Sequence, residues 1–182
     1  YIPALSESLP CKYVNTLYID HQQHLWVGSA DNGISYYDGQ NWHLYNNANS
    51  GFSNNHISCI TEDQSGNFWF GTSNGIVKYD GLQLTPYTPF GCPIINGQVQ
   101  SLAVDQHGYI WAGTQGGISI FNGSQWATYT VNKDGMNSNL IASILIDAEN
   151  NKWIASQDHG LSKLSDGALT FKSNQNWFVS PG

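Results

Sequence analysis

Five polar residues stand in short turns that differ between otherwise repeated segments, and they are the best candidates in this chain for contacting a small molecule. The turns are "SADN" (29–32), "TSN" (72–74), "TQG" (114–116) and "SQDH" (156–159), and the residues are Asp31, Asn74, Gln115, Asp158 and His159. Carboxylate, amide and imidazole groups exchange hydrogen bonds with polar ligands, so the five would line one ligand-binding pocket. The alternative interpretation is that all five are solvated turn tips.

One pair of residues is a candidate for catalysis: Asp158 next to His159 could act as the general base of a lyase. The six histidines (21, 24, 43, 56, 107 and 159) show no H-E-x-x-H or comparable metal-ligand spacing. Neither a G-x-S-x-G elbow nor a phosphate-binding loop occurs in the sequence. We therefore expect no catalytic residue, no metal site and no cofactor, and we keep a lyase as an alternative.

Composition excludes several classes of protein. Of 182 residues, 40% are apolar, 13% aromatic and only 10% charged, and 19 are glycine, which is typical of a globular, turn-rich β protein. The net charge is −7 and arginine does not occur, so neither a nucleic-acid partner nor a strongly anionic glycan fits. No apolar run approaches the ~20 residues of a membrane span. The chain starts at Tyr1 without a leader sequence, as in a mature form or an excised piece.

The three cysteines are Cys11, Cys59 and Cys92, an odd number without a C-x-x-C pair. We expect them to be small buried or loop thiols. A disulfide between Cys11 and Cys92 stays open, because sequence spacing alone does not supply the distance that such a bond requires.

Three long loops connect the repeated segments: "NNANSGFSNNH" (46–56), "TPFGCPIINGQ" (88–98) and "VNKDGMNSNL" (131–140). Their amides donate and accept hydrogen bonds, and the rings of Phe52, Phe90 and Trp177 would stack on the apolar faces of a sugar. These features favour a neutral, hydroxyl-rich ligand.

A fourfold repeat must position these residues. Its units are marked by Asp20, Asp63, Asp105 and Asp147, which are 43, 42 and 42 residues apart, and Trp26, Trp69, Trp111 and Trp153 keep the same intervals. Within each unit the apolar residues alternate with a period of two, as they do in half-buried strands. Four short strands in forty-odd residues are typical of one propeller blade.

The turn chemistry agrees with four strands per unit. In the second unit we predict strand A over about 57–62, strand B over 68–72, strand C over 75–79 and strand D over 83–88. Asp63 would accept hydrogen bonds from the amides of the turn that follows it, and Gly66 would supply a positive φ angle there. Gly108 and Asn150 suit the same turn, whereas Gln23 predicts a turn that differs in the first unit. Hairpins between strands C and D are favoured by Asp-Gly or Asn-Gly at 38–39, 80–81, 122–123 and 166–167.

The recurrent tryptophans and aspartates are therefore expected to be structural. A blade cannot bury both faces of its sheet alone, so each tryptophan would pack against the neighbouring blade. Gly28, Gly71 and Gly113 follow the first three tryptophans by two residues and would allow close backbone approach, whereas Ala155 takes this place in the fourth unit. We predict an all-β fold, a β-propeller or propeller segment with four blades of four antiparallel strands.

The segment "ISCITEDQSGNFWFGTSNGIVKYDG" (57–81), with its relatives starting at Val14, Val99 and Ile141, resembles the two-component regulator propeller repeat. That repeat fills the periplasmic sensor regions of Bacteroides-type hybrid two-component systems, which detect glycan fragments. The resemblance covers nearly all of residues 12–172. It implies a periplasmic or extracellular sensor that binds carbohydrate and signals by dimer rearrangement. Such sensors carry more blades, a membrane segment and a histidine kinase, and none of these follows here.

We predict one propeller domain over 1–182, with repeats at about 12–45, 55–87, 97–129 and 139–172 and closing or tail segments at 1–11 and 173–182. Three closures stay open: a lone four-bladed ring, a homodimer with eight blades, and further blades of a longer propeller. The preferred function is a non-catalytic ligand-binding or sensing module with an oligosaccharide ligand. A structural or protein-interaction propeller that oligomerises, and a propeller lyase, are the alternatives.

Overall fold

The computed structural model describes residues 8–50, 52, 54–92, 94–131, 136–165 and 168–170. These residues form four antiparallel sheets of four strands, each in simple sequential order, which confirms the predicted all-β propeller blades. Blade 1 contains β1 (Val14–Ile19), β2 (Leu25–Ser29), β3 (Ile34–Tyr37) and β4 (Trp42–Tyr45), and blade 2 contains β5 (Ile57–Glu62), β6 (Phe68–Thr72), β7 (Gly75–Tyr79) and β8 (Leu84–Tyr87). Blade 3 contains β9 (Val99–Val104), β10 (Ile110–Thr114), β11 (Gly117–Phe121) and β12 (Trp126–Tyr129), and blade 4 contains β13 (Ile141–Ile146), β14 (Lys152–Ser156), β15 (Gly160–Ser165) and β16 (Ala168–Thr170).

The core lies between the blades rather than inside any one of them. We call the sheet face that carries the repeated tryptophan the forward face of a blade, and the opposite face its rear face. The forward face of blade 1 packs on the rear face of blade 2, where Trp26 joins Ile60, Phe68 and Phe70 in one apolar cluster. Equivalent clusters fill the interfaces between blades 2 and 3 and between blades 3 and 4. Stacking therefore buries the faces that a single blade would expose.

The repeated tryptophans are wedged into these interfaces. Trp26, Trp69 and Trp111 are only 4%, 2% and 6% exposed, whereas Trp153 of blade 4 is half-buried. The Trp26 ring lies 4.1 Å from the ring of Phe68 in the next blade, measured between centroids. Burying such a ring removes its large apolar surface from water, so these indoles are a main source of the adhesion between blades.

A hydrogen-bonded turn holds every one of these indoles. The turn between the first two strands of each blade begins with the repeated aspartate, whose Oδ2 accepts a hydrogen bond from the indole Nε1 at 2.8–3.0 Å in all four blades. Its Oδ1 accepts hydrogen bonds from backbone amides of the turn, for example from Ser65 and Asn67 to Asp63. One carboxylate thus fixes both a tight turn and the orientation of the ring behind it.

The predicted difference in the first turn of blade 1 is wrong. Gln23 adopts a φ angle of 67°, in the region that Gly66 and Gly108 occupy at φ 79° and 77°. Its amide donates to the Asp20 carbonyl over 3.0 Å, as the Gly66 amide does to Asp63. The carboxylate and its turn impose this conformation on a residue that disfavours it. Asn150 adopts φ 62°, as expected.

Several sequence predictions fall partly or wholly outside the described residues. The tail segments were predicted at 1–11 and 173–182, and the structure describes only residues 8–11 of them. The predicted hairpin at 166–167 is also outside the described residues. The three cysteines are free thiols, and burial raises the pKa of Cys59 to about 12. Within the described parts of the chain, no helix is long and apolar enough to cross a bilayer.

Candidate functional site

The five residues predicted to line a pocket all lie on one side of the blades, at the turns between the second and third strands. We call this side, which also carries the long connections between blades, the loop side. Asp31, Gln115, Asp158 and His159 are exposed and Asn74 is half-buried. Of these five residues, Asp158 and His159 contact each other, with the imidazole Nδ1 3.0 Å from the carboxylate. A shared pocket on the loop side stays a prediction.

The Asp158–His159 pair is held by its own turn. The His159 amide donates to Ser156 Oγ over 2.9 Å. Hydrogen bonds from Ser138 and from His159 lower the pKa of the Asp158 carboxyl. The His159 side chain is 56% exposed, so the pair lies in solvent rather than in a closed cleft. A general base profits from a site that excludes water and positions the substrate, and this turn does neither for the pair.

Of the three loop aromatics predicted to stack on a sugar, Phe52 has a different role. Phe52 is only 3% exposed and packs into the cluster between blades 1 and 2, so it is not free to stack on a sugar. Ile94 and Met136 occupy the matching places in the other two interfaces. Phe90 is 97% exposed, and Trp177 lies outside the described residues. Each of the three long connections therefore places one apolar side chain in the interface between two blades.

The opposite side of the blades carries the other turns, and we call it the turn side. Among the described residues, each of the three interfaces between neighbouring blades has a groove on this side. The groove between blades 1 and 2 has a volume of about 290 Å³, and those between blades 2 and 3 and between blades 3 and 4 measure about 370 and 360 Å³. Each is lined by the repeated aspartate and tryptophan of the earlier blade. Because repeated residues form all three grooves, a residue that differs in one groove is a candidate for a function specific to that groove.

The groove between blades 3 and 4, the Lys152 groove, differs through one buried cation. Lys152 opens the second strand of blade 4 and its side chain is only 7% exposed, although lysine is rarely buried. The matching residues of the other blades are Leu25, Phe68 and Ile110, all apolar. An apolar side chain therefore satisfies the fold at this position, and the lysine is an addition that the fold does not require.

The ammonium of Lys152 has spare hydrogen-bonding capacity. Its Nζ lies 3.5 Å from Asp105 Oδ2 and 5.3 Å from the centre of the Trp111 ring. Among the described residues, no protein oxygen accepts a hydrogen bond from it. Asp105 already accepts three hydrogen bonds, two at Oδ1 from the amides of His107 and Tyr109 and one at Oδ2 from the Trp111 indole. A lysine carries three N–H donors, so the groove presents donors that a ligand oxygen would satisfy.

The rest of the lining suits an uncharged ligand. Asp105 compensates the charge of Lys152, so a strongly anionic group entering the groove would meet a carboxylate beside the cation. The exposed amides Asn122 and Gln125 stand at the rim, and Tyr109, 39% exposed, adds an aromatic surface. Amide donors and acceptors with an exposed ring are the groups that recognise hydroxyl-rich ligands.

Sequence reasoning missed Lys152 although the signal was present. Comparison of the units points first to the turns, where variation is expected because solvent-exposed positions tolerate it. Lys152 breaks the pattern on a strand, at a position where its three counterparts are apolar. A charged residue at a core position of a repeat is a stronger sign of function than a polar residue in a turn. Across the described part of the chain, no group of three His, Cys, Asp or Glu side chains is placed to hold a metal ion.

Comparison with known families agrees with this architecture. Residues 8–31, 51–74 and 93–116 match the family model described as "Two component regulator propeller". The matched segments recur at the period of the blades, so three of the four units match this repeat, as the sequence resemblance predicts. No curated protein sequence matches the chain.

Solved structures with the same fold include an extracellular domain of a putative two-component system, a component of a secretion system and a lyase. The extracellular domain of the putative hybrid two component system BT3049 from B. thetaiotaomicron shares 23% identity over 90% of this chain, with a TM-score of 0.76. PorZ, a bacterial surface component of the type-IX secretion system of Porphyromonas gingivalis, shares 21% over 81%, with a TM-score of 0.64. A streptogramin B lyase shares 16% over 95%, with a TM-score of 0.71. This chain spans 23%, 25% and 58% of those three chains.

Proposed function

We propose that the chain is a non-catalytic sensing module, in the periplasm or outside the cell, that binds a neutral oligosaccharide in the Lys152 groove. The module resembles the extracellular propeller domains of hybrid two-component systems in fold and in repeat type. The observation that carries the proposal is the buried Lys152, which stands where the other blades have apolar side chains.

The binding geometry follows from the lining of the groove. The free N–H groups of Lys152 would donate hydrogen bonds to a hydroxyl or ring oxygen of the sugar at the bottom of the groove. Asn122 and Gln125 would contact further hydroxyl groups at the rim, and Tyr109 would cover an apolar sugar face. A cavity of about 360 Å³ lies in the size range of sites for small ligands, so it would hold a short saccharide rather than a polymer.

Calorimetric titration with a panel of neutral di- and trisaccharides tests the proposal. We expect one member of the panel to bind, and Lys152→Met to weaken its binding by roughly tenfold or more, since hydrogen bonds from a charged donor are lost. Lys78→Met is the matched control, because Lys78 lies 5.5 Å from the Trp69 ring in the groove between blades 2 and 3. Equal affinity for Lys152→Met and the original chain, or no binding across the panel, would refute the proposal.

A further inference from the structure

One wall of the Lys152 groove is a row of apolar side chains on the forward face of blade 3. Ile120 pairs with Trp111 on one side and with Ala127 on the other, so the three side chains lie next to each other across the sheet. In blades 1 and 2 the two residues beside the tryptophan both carry polar groups: Tyr36 with His43, and Lys78 with Thr85. Blade 3 therefore has an aliphatic surface where the earlier blades have polar groups.

The facing wall of the groove, on blade 4, combines a cation with an aliphatic side chain. Lys152 and Leu164 are direct cross-strand partners, and both line the groove. Leu164 stands where Tyr79 and Phe121 line the other two grooves. The Lys152 groove thus has a branched aliphatic group beside its ammonium instead of an aromatic ring.

These substitutions place an apolar patch next to the hydrogen-bond donors of Lys152. The patch consists of Ile120, Ala127 and Leu164, which all line the groove with Lys152. Ile120 and Leu164 are 8% exposed, and Ala127 is exposed, so the patch can be reached from the groove. A sugar hydroxyl would satisfy the ammonium but would gain nothing from the aliphatic carbons. The groove is suited to a ligand group that has an acceptor oxygen and a methyl group a few bonds apart.

An acetamido group has this combination. Its carbonyl oxygen is a strong acceptor, its methyl group is apolar, and it carries no charge. The last property matters because Asp105 already compensates the charge of Lys152. A free amino group at the same position of a sugar would instead bring a second cation next to Lys152, which is unfavourable.

We propose that the saccharide bound in the Lys152 groove carries an acetamido group, as N-acetylhexosamines do. The carbonyl oxygen accepts a hydrogen bond from Lys152, and the methyl group packs on Ile120, Ala127 and Leu164. The exposed Gln125 at the rim supplies an amide oxygen for the acetamido N–H. This inference rests on the proposed function and names the class of saccharide.

Calorimetry with matched disaccharides tests the inference. N,N′-diacetylchitobiose is compared with cellobiose, and N-acetyllactosamine with lactose, because the members of each pair share their linkage and differ in acetamido against hydroxyl. We expect the acetylated member of at least one pair to bind roughly tenfold more tightly or better, since a methyl contact and a charge-assisted hydrogen bond are added. Chitobiose without its acetyl groups, which carries amino groups, should bind more weakly than the diacetylated sugar.

A substitution on the patch assigns the preference to this groove. Ala127→Thr introduces the residue that blade 2 has at this position, so the fold accommodates it. The larger, polar side chain occupies the place of the ligand methyl, and the preference for the acetylated sugar should fall to within roughly threefold of equality. Thr85→Ala is the matched control at the exposed counterpart in blade 2 and should leave the preference unchanged. Thermal unfolding checks that both variants are folded.

The outcomes separate this inference from the proposed function. If a sugar without an acetamido group binds as tightly as its acetylated counterpart, or if only such sugars bind, the inference is wrong and the saccharide site stands. A preference that Ala127→Thr leaves intact also overturns the inference, because the acetamido group would then lie elsewhere. If no saccharide of either kind binds, the proposed function fails together with the inference.

Discussion

The indole Nε1 of Trp69 donates a hydrogen bond of 2.8 Å to Asp63 Oδ2, and the same bond joins the equivalent pair in each of the other three blades. The aspartate begins the tight turn, and the indole fills the interface with the next blade. A single carboxylate therefore links local turn geometry to packing between blades. This link explains why the two residues recur together, and it makes the aspartate a sensitive point of the fold.

Replacing Asp63 with Ala should strongly destabilise the chain. The substitution leaves the Trp69 indole and the turn amides without their charged acceptor, and we expect a loss of about 2–4 kcal/mol in the free energy of unfolding. Urea unfolding followed by indole fluorescence measures it. Asp80→Ala is the control, since Asp80 accepts only backbone amides of an exposed hairpin. Equal losses for the two variants would mean that the indole bond contributes little.

Acid should weaken the fold through the same carboxylates. Hydrogen bonds from Trp153 and Asn151 lower the pKa of Asp147 to about 2. Burial raises the pKa of Asp63, but hydrogen bonds from Trp69 and Asn67 outweigh it and the net direction is downward. A carboxyl whose pKa is lower in the folded state stabilises above its unfolded pKa of ~4 and loses this contribution as the pH falls toward 2.

The pH dependence can be assigned to one residue by substitution. We expect Asp147→Asn to flatten the fall in urea midpoint between pH 5 and pH 2, because the amide does not titrate. Asp31→Asn, which changes an exposed aspartate in a turn of blade 1, controls for the loss of one charge. An unchanged pH slope in the Asp147 variant would contradict the assignment.

Gln23→Gly should stabilise the chain. Gln23 holds a φ angle of 67°, a region that costs a residue with a side chain roughly 1–2 kcal/mol. Glycine removes this strain but gains freedom in the unfolded state, so a net gain of about 0.5–1 kcal/mol is expected. The converse change, Gly66→Ala in blade 2, should destabilise by a similar amount. A Gln23→Gly variant that is less stable in thermal unfolding would show that the side chain makes an important contact.

Lys152→Met should leave the stability of the chain unchanged or raise it. Removing one partner of a buried ion pair often destabilises a protein because the other charge is left uncompensated. Here the equivalent aspartates of blades 1 and 2, Asp20 and Asp63, already lie next to apolar residues at this position. Asp105 keeps three hydrogen bonds in the variant, so it is not left unpaired. A fall of more than about 2 kcal/mol in the free energy of unfolding would make Lys152 a structural residue.

Much of the fold could be predicted because the same pattern of strands and turns recurs in four units of the sequence. The four strands of the second unit were placed within a residue of β5 to β8, since alternation, turn glycines and the aspartate all mark the same boundaries. The turn at Gln23 differs from its prediction because Asp20 accepts hydrogen bonds from the amides of Gln22 and His24. A carboxylate with several amide partners overrides the backbone preference of one residue.

The candidate site could be predicted less well, for a physical reason. The groove is formed where two blades meet, so its lining joins Asn122 of one sheet to Lys152 of the next, residues that no sequence window relates. Phe52 was interpreted as a ligand platform because a loop aromatic is usually exposed, yet it closes an interface. Repeat positions that change character on a strand, as Lys152 does, are the signal that sequence comparison within the chain offers.

The most direct test of the proposed site follows the indole N–H resonances by NMR while the saccharide that binds in calorimetry is added. The account predicts that the Trp111 resonance shifts, because Trp111 lines the Lys152 groove, while the Trp26 and Trp69 resonances stay in place. Lys152→Met should abolish the shift. Perturbations confined to the backbone amides of Asp31, Asn74, Gln115, Asp158 and His159, with Trp111 unmoved, would place the ligand on the loop side and contradict the account.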